Sequence, residues 1–108
     1  MTTSQTPSIF DIQAEFCKVM GNATRLQIIH VLRESPMNVG EIAHVTGFGQ
    51  TVVSRQLSAL RNAGIVQNQR NGNEVSYQLT DSDIVEVCDL VRKVLSTQVQ
   101  KQSETFQS

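Results

Sequence analysis

The sequence predicts a mainly α-helical domain with one small β-hairpin, built as five helices and a two-stranded wing. Three observations lead there. Through most of the chain apolar residues recur at three and four, as Val53, Leu57 and Leu60 do, which lines them up on one side of a helix. After Gly64 the period changes: Val75, Tyr77 and Leu79 alternate with Ser76 and Gln78, as in a half-buried strand. Asn71-Gly72 precedes that run, a strong signal for a two-residue hairpin turn. With 108 residues the chain suffices for one domain and a modest core.

Residues 1–7 are polar and read as a disordered tail, the domain as 8–99, and 100–108 as a polar, frayed C-terminal tail. Ser8 can cap a first helix, with Asp11 in its first turn set favourably against the dipole. Ile9, Ile12, Phe16, Val19 and Met20 form its stripe, and Cys17 lies beside it. Gly21 ends this helix and Asn22 can cap the next, Ala23 to about Glu34. Leu26, Ile28, Ile29, Val31 and Leu32 are too many for one narrow face, so this helix is expected at the centre, with His30 buried inside it. Ser35-Pro36 ends it.

Asn38 followed by Glu41 is a capping signal for a third helix, with Ile42, Ala43 and Val45 as its buried face. Thr46-Gly47-Phe48-Gly49 breaks it, and Gly47 can take a left-handed turn at low cost. A fourth helix starts at Gln50 and stops at Asn62-Ala63-Gly64. Ile65 to Arg70 is the first strand of the hairpin. Thr80, followed by Asp81 and Asp83, is expected to cap the last helix. Its stripe of Ile84, Val87, Cys88, Val91, Val94, Leu95 and Val99 is longer than the small domain can cover. An uncovered stripe implies a partner helix, most simply from a second copy of the chain.

The fourth helix carries the functional signal. Opposite its apolar side it shows Gln50, Thr51, Ser54, Arg55 and Ser58, a slender hydrogen-bonding face without acid. Such a face suits the DNA major groove, where Arg reads guanine and Gln reads adenine. The hairpin tip adds Arg70, Asn71 and Asn73. A net charge of −1 looks wrong for a nucleic-acid binder, but no acid lies between Glu41 and Glu74, while Arg55, Arg61 and Arg70 do. The segregated charge predicts moderate, salt-dependent affinity. No apolar run approaches the roughly 20 residues that span a bilayer, and the first residues lack the features of a signal peptide. Cytoplasmic placement is expected, where two cysteines make a poor structural staple.

Helix, helix, helix–turn–helix, hairpin and helix is the order of a winged helix–turn–helix domain. The series KVMGNATRLQIIHVL, NVGEIAHVTGFGQTVVSRQLSALRNAGIV and RNGNEVSYQLTD resembles the ArsR/SmtB family of repressors, over about Phe16 to Leu95. The resemblance implies a homodimer joined through its first and last helices, an operator of two-fold symmetry, and release from DNA by an inducer. It sets Gln50, Thr51, Ser54 and Arg55 where the family's recognition helix meets bases and phosphates. Arg55 replaces a frequent His, and Val52, in place of a usual polar residue, can touch a thymine methyl. Interface residues are expected at Phe16, Ile84, Val87, Cys88, Val91, Val94 and Leu95.

The family's metal sites do not carry over. Its paired-cysteine site falls on EIAHVTG, which has no cysteine. Its last-helix site is matched by Asp81 and Asp83 in one half, but Val94 and Thr97 occupy the other. Carboxylates alone are poor ligands for zinc or softer metals, and these acids also favour a helix N-terminus. No metal site and no cofactor are therefore expected. Cys17 and Cys88 remain, on the two helices that the resemblance packs together. They are candidate sensor thiols for oxidants, reactive sulfur, arsenite or a metal ion, or else two small packing residues.

The leading reading is thus a dimeric repressor with a thiol-based inducer response. A repressor without a small-molecule sensor and a winged-helix protein-interaction module are the alternatives. No nucleophile–base pair, phosphate-binding glycine loop or complete metal motif supports an enzyme.

Overall fold

The computed structural model describes residues 6–107, with side chains described as far as residue 102. The elements run α1 (Ile9–Met20), α2 (Ala23–Val31), β1 (Met37–Asn38), α3 (Val39–Thr46), α4 (Gln50–Asn62), β2 (Val66–Asn71), β3 (Glu74–Leu79) and α5 (Asp83–Gln107). Of the expected N-terminal tail, residues 1–5 lie outside the described part.

Capping chemistry sets the helix starts. Ser8 and Asp11 close a capping box on α1, and Asn38 and Glu41 close another on α3. Asn22 accepts from the Arg25 amide at 3.1 Å and starts α2. That helix stops at Val31, three residues short of the expected Glu34, and Leu32 closes its last turn. Ile28, Ile29 and Leu32 are buried, as expected for a central helix. His30 is not; it is exposed, as is Leu26. Four residues apart, they share one side of α2, and that side borders an open cleft. Val45 is likewise exposed, so Ile42 alone is the fully buried residue of α3.

The sheet is three-stranded and antiparallel, in the order β1-β3-β2, not the two-stranded wing that the sequence pattern implied. β3 has two edges and the hairpin fills only one. Met37 pairs with Tyr77 and Asn38 with Ser76 on the other. The hairpin is also displaced by one residue: Asn71 pairs with Glu74, so the loop is Gly72-Asn73. Gly72 has φ 64° while Asn73 has no positive φ, which is the type II′ pattern with glycine first. Thr80 does not cap α5. Its hydroxyl donates to the carbonyls of Gly64 at 2.8 Å and Ile65 at 3.2 Å, pinning the end of the wing to its beginning. Asp81 serves α5 instead, accepting from the Asp83 amide at 2.9 Å.

The core is one cluster of Ile28, Ile29, Leu32, Ile42, Val53, Leu57, Leu60, Ile65 and Val66, so α2, α3, α4 and the base of the wing share it. α1 and α5 lie outside. α1 has no fully buried residue, and Ile9, Phe10 and Ile12 are exposed. α5 exposes Val87, Leu90, Val91, Val94, Leu95 and Val99. Phe16, Ile84 and Cys88, expected to face a partner, pack partly against their own core. α5 also continues through the expected tail to Gln107, because that stretch holds no glycine or proline to stop it; Ser108 lies outside the described residues.

Candidate nucleic-acid interface

The candidate interface is built around the turn between α3 and α4. Gly47 takes φ 82°, a left-handed conformation that costs a glycine little. Its amide donates to the Ala43 carbonyl at 2.8 Å. The Thr46 hydroxyl donates to the Ile42 carbonyl at 2.7 Å and accepts from the Phe48 amide at 3.2 Å. Phe48 packs against the core beside this turn. Gly49 at the N-cap of α4 offers no side chain to its first amides, which are left for water or a phosphate.

Val53, Leu57 and Leu60 are fully buried and fix the rotation of α4 about its axis. Gln50, Thr51, Ser54, Arg55 and Ser58 are consequently all exposed. Val52 is 39% exposed among them, an apolar contact within a polar face. At the wing, Arg70 pairs with Val75 and precedes the Asn71–Glu74 pair. Arg70, Asn71 and Asn73 are exposed. The acid nearest the tip, Glu74, is drawn toward Asn38, whose side-chain amide donates to it at 3.4 Å. One residue of α4 escaped the sequence reading. Gln56 is half-buried at the flank of the helix and accepts from Arg25 Nε at 2.8 Å. Neither period nor composition marks that pair, which spans 31 positions.

The candidate thiols lie apart from this face. Cys17 on α1 is exposed and Cys88 on α5 is half-buried. Both line one cleft of about 690 Å³ between α1, α2 and α5, together with Phe16, Met20, His30 and Val91. Burial pushes the Cys88 thiol up from its ordinary value, and the nearby Arg92 cation opposes this in part. Beside it, hydrogen bonds from Arg33 and Arg92 hold the Asp89 carboxyl below its usual range. Arg33 follows α2, so Asp89 ties α5 to the body of the domain. A lowered carboxyl keeps its charge at neutral pH, and the tie loosens only as the pH falls below the ordinary carboxylate range. Asp81 caps α5 by accepting from the Asp83 amide, and Asp83 pushes the Glu86 carboxyl up by hydrogen bond and charge one turn on. Among the described residues no group of three His, Cys, Asp or Glu side chains could hold a metal ion. No helix among them is long and apolar enough to cross a membrane.

Comparison with known proteins adds the context of this geometry. The profile of the arsR family of bacterial regulatory proteins matches residues 22–68. An uncharacterised HTH-type transcriptional regulator of Mycobacterium tuberculosis, Rv0081, is 35% identical over 89 residues, covering 82% of this chain and 78% of its own. Its crystal structure superimposes with a TM-score of 0.78 over 90% of this chain and 98% of that one. The biofilm growth-associated repressor of Xylella fastidiosa is 32% identical, over 79% of this chain and 75% of its own. The solution structure of a homodimeric winged helix–turn–helix DNA-binding domain from Mycobacterium bovis has a TM-score of 0.77 at 28% identity, over 93% and 95% of the two chains.

Proposed function

The chain belongs to the arsR family of bacterial regulatory proteins, and from that premise we propose that it is a homodimeric, sequence-specific DNA-binding repressor whose operator has two-fold symmetry. The observation that carries this reading is the α4 face. Three fully buried residues hold the helix from behind, and an exposed hydrogen-bonding surface without acid stands in front. Gln50, Thr51, Ser54 and Arg55 read or grip the major groove, Ser58 lies further along it, and Arg70, Asn71 and Asn73 reach the backbone beside it. Two copies join through the exposed apolar faces of α1 and α5, as the M. bovis domain is homodimeric. The protein works where the DNA is, in the cytoplasm.

Two arginines test the DNA reading differently. Arg55→Ala is expected to weaken binding to the selected operator by about 1–3 kcal/mol and to relax preference at one base pair per half-site. Arg70→Ala is expected to weaken all duplexes alike and to lower the salt slope by about one unit. Titrations of operator and unrelated duplexes over a range of salt measure both. Equal losses for Arg55→Ala on every duplex would make it a phosphate contact, and no duplex bound above background would end the reading.

The inducer acts, on this reading, at Cys17 and Cys88. Their common cleft supports it. Two thiols that close to a disulfide give two protons and two electrons to an oxidant such as a peroxide. Bridging α1 to α5 then shifts the seam that sets the spacing of the two reading helices, about 34 Å for successive major grooves. The expected result is that peroxide lowers operator affinity, that reductant restores it, and that Cys17→Ser and Cys88→Ser each bind DNA and ignore the oxidant. A full response in either variant makes the cysteines packing residues.

A further inference from the structure

Arg25 stands where a helix is poorly served by a cation. It lies in the first turn of α2, the positive end of the helix dipole, and that turn has no acid to offset it. Its side chain leaves α2 and binds two other helices. Nε donates to Gln56 Oε1 on α4 at 2.8 Å, and Nη1 donates to the Val19 carbonyl on α1 at 3.1 Å. Val19 is in the last turn of α1, where carbonyls lack helical partners and the dipole is negative. The guanidinium gains from the end of α1 the favourable field that its own helix denies it. Both bonds are partly buried, so water competes with them less than at the surface.

Gln56 is well placed for such a bond. At 3.6 residues per turn it falls on the flank of α4, between exposed Arg55 and buried Leu57. It is off the side that carries Thr51, Ser54 and Ser58. α1, at the other end of the link, carries Cys17 and the exposed Ile9, Phe10 and Ile12.

We infer that Arg25 is the positioning residue of the reading helix: it fastens α4 to the C-terminal end of α1, so that a displacement of α1 reaches the face that meets DNA. The inference rests on the DNA-binding role proposed for α4. A side chain of this kind controls how well the helix fits its operator, not whether the domain folds or attracts phosphate.

The test uses the full chain and a two-fold symmetric duplex that the unaltered protein selects from a random-sequence pool. Gln56→Ala removes the acceptor, and Arg25→Met keeps the stem of the side chain without its donors. Each is expected to weaken binding to the selected duplex about tenfold, the scale of one hydrogen bond to a charged group. Binding to an unrelated duplex changes less than about twofold, since phosphate contacts carry it. The double variant binds no more weakly than the poorer single, because both substitutions break the same link. Gln56→Glu, which keeps an acceptor for Arg25, retains the ratio of specific to unrelated binding. Gln56→Ala carries the test if Arg25→Met does not fold. Unchanged specific affinity in Gln56→Ala, or losses that simply add in the double variant, overturn the inference. An unaltered protein that selects no duplex removes the DNA-binding role first, and the inference with it, so the two failures are told apart.

Discussion

Val91→Asp is expected to give a folded monomer that no longer holds a two-fold operator. Val91 is 52% exposed in the single chain and stands among Val87, Leu90, Val94 and Leu95 on α5. In a symmetric seam the substitution enters twice, once from each copy. Burying a carboxylate without a partner costs several kcal/mol, enough to separate the copies at micromolar concentration. The single domain should survive, because Val91 is no part of the core cluster. Sedimentation velocity measures the mass, circular dichroism the fold, and a gel-shift titration the binding. A Val91→Asp protein that stays dimeric and binds its operator would show that α5 is not the seam.

Leu57→Ala should act on the other side of the molecule, through stability. Leu57 is fully buried beneath the exposed polar face of α4. Truncating such a leucine costs about 2–5 kcal/mol, including the cavity left behind. Domains of this kind are stable by only about 5–15 kcal/mol. The melting temperature is therefore expected to fall by at least about 8 °C. DNA affinity should recover at low temperature, where the folded fraction is restored. Loss of binding with an unchanged melting temperature would mean that Leu57 faces outward and that α4 is rotated from the position described.

Much of the fold was legible because local chemistry and long-range packing agree. Asn38 and Glu41 announce a helix start and form the capping box. Gly47 announces a left-handed turn and makes one. Val53, Leu57 and Leu60 announce a buried side and are buried, which makes the opposite face of α4 readable before any coordinates. The misreadings share a cause: each depends on what lies across a gap in the chain. Two residues are too short for a period, so β1 is invisible until β3 offers its free edge. His30 lies on a helix rich in apolar residues, yet the side it occupies borders the cleft. Thr80 has the residue type of a cap, but the carbonyls of Gly64 and Ile65 lie within reach and take its hydroxyl. The link from Arg25 to Gln56 has no local signature, since a guanidinium reaches wherever its stem allows.

The strand that the sequence hid has a mechanical consequence. Asn38 ends β1 and caps α3, while its amide also reaches Glu74 at the tip of the wing. One residue thus bolts the hairpin to the first helix of the helix–turn–helix, and Thr80 bolts the other end of the hairpin to the chain leaving α4. A hairpin held by one hinge would flap; this one is fastened both near its tip and at its base. On the proposed reading, wing and α4 then move as one unit, and a regulator would shift that unit whole, through α1 or through the seam between copies. Amide exchange in β3 should accordingly be as slow as in α4.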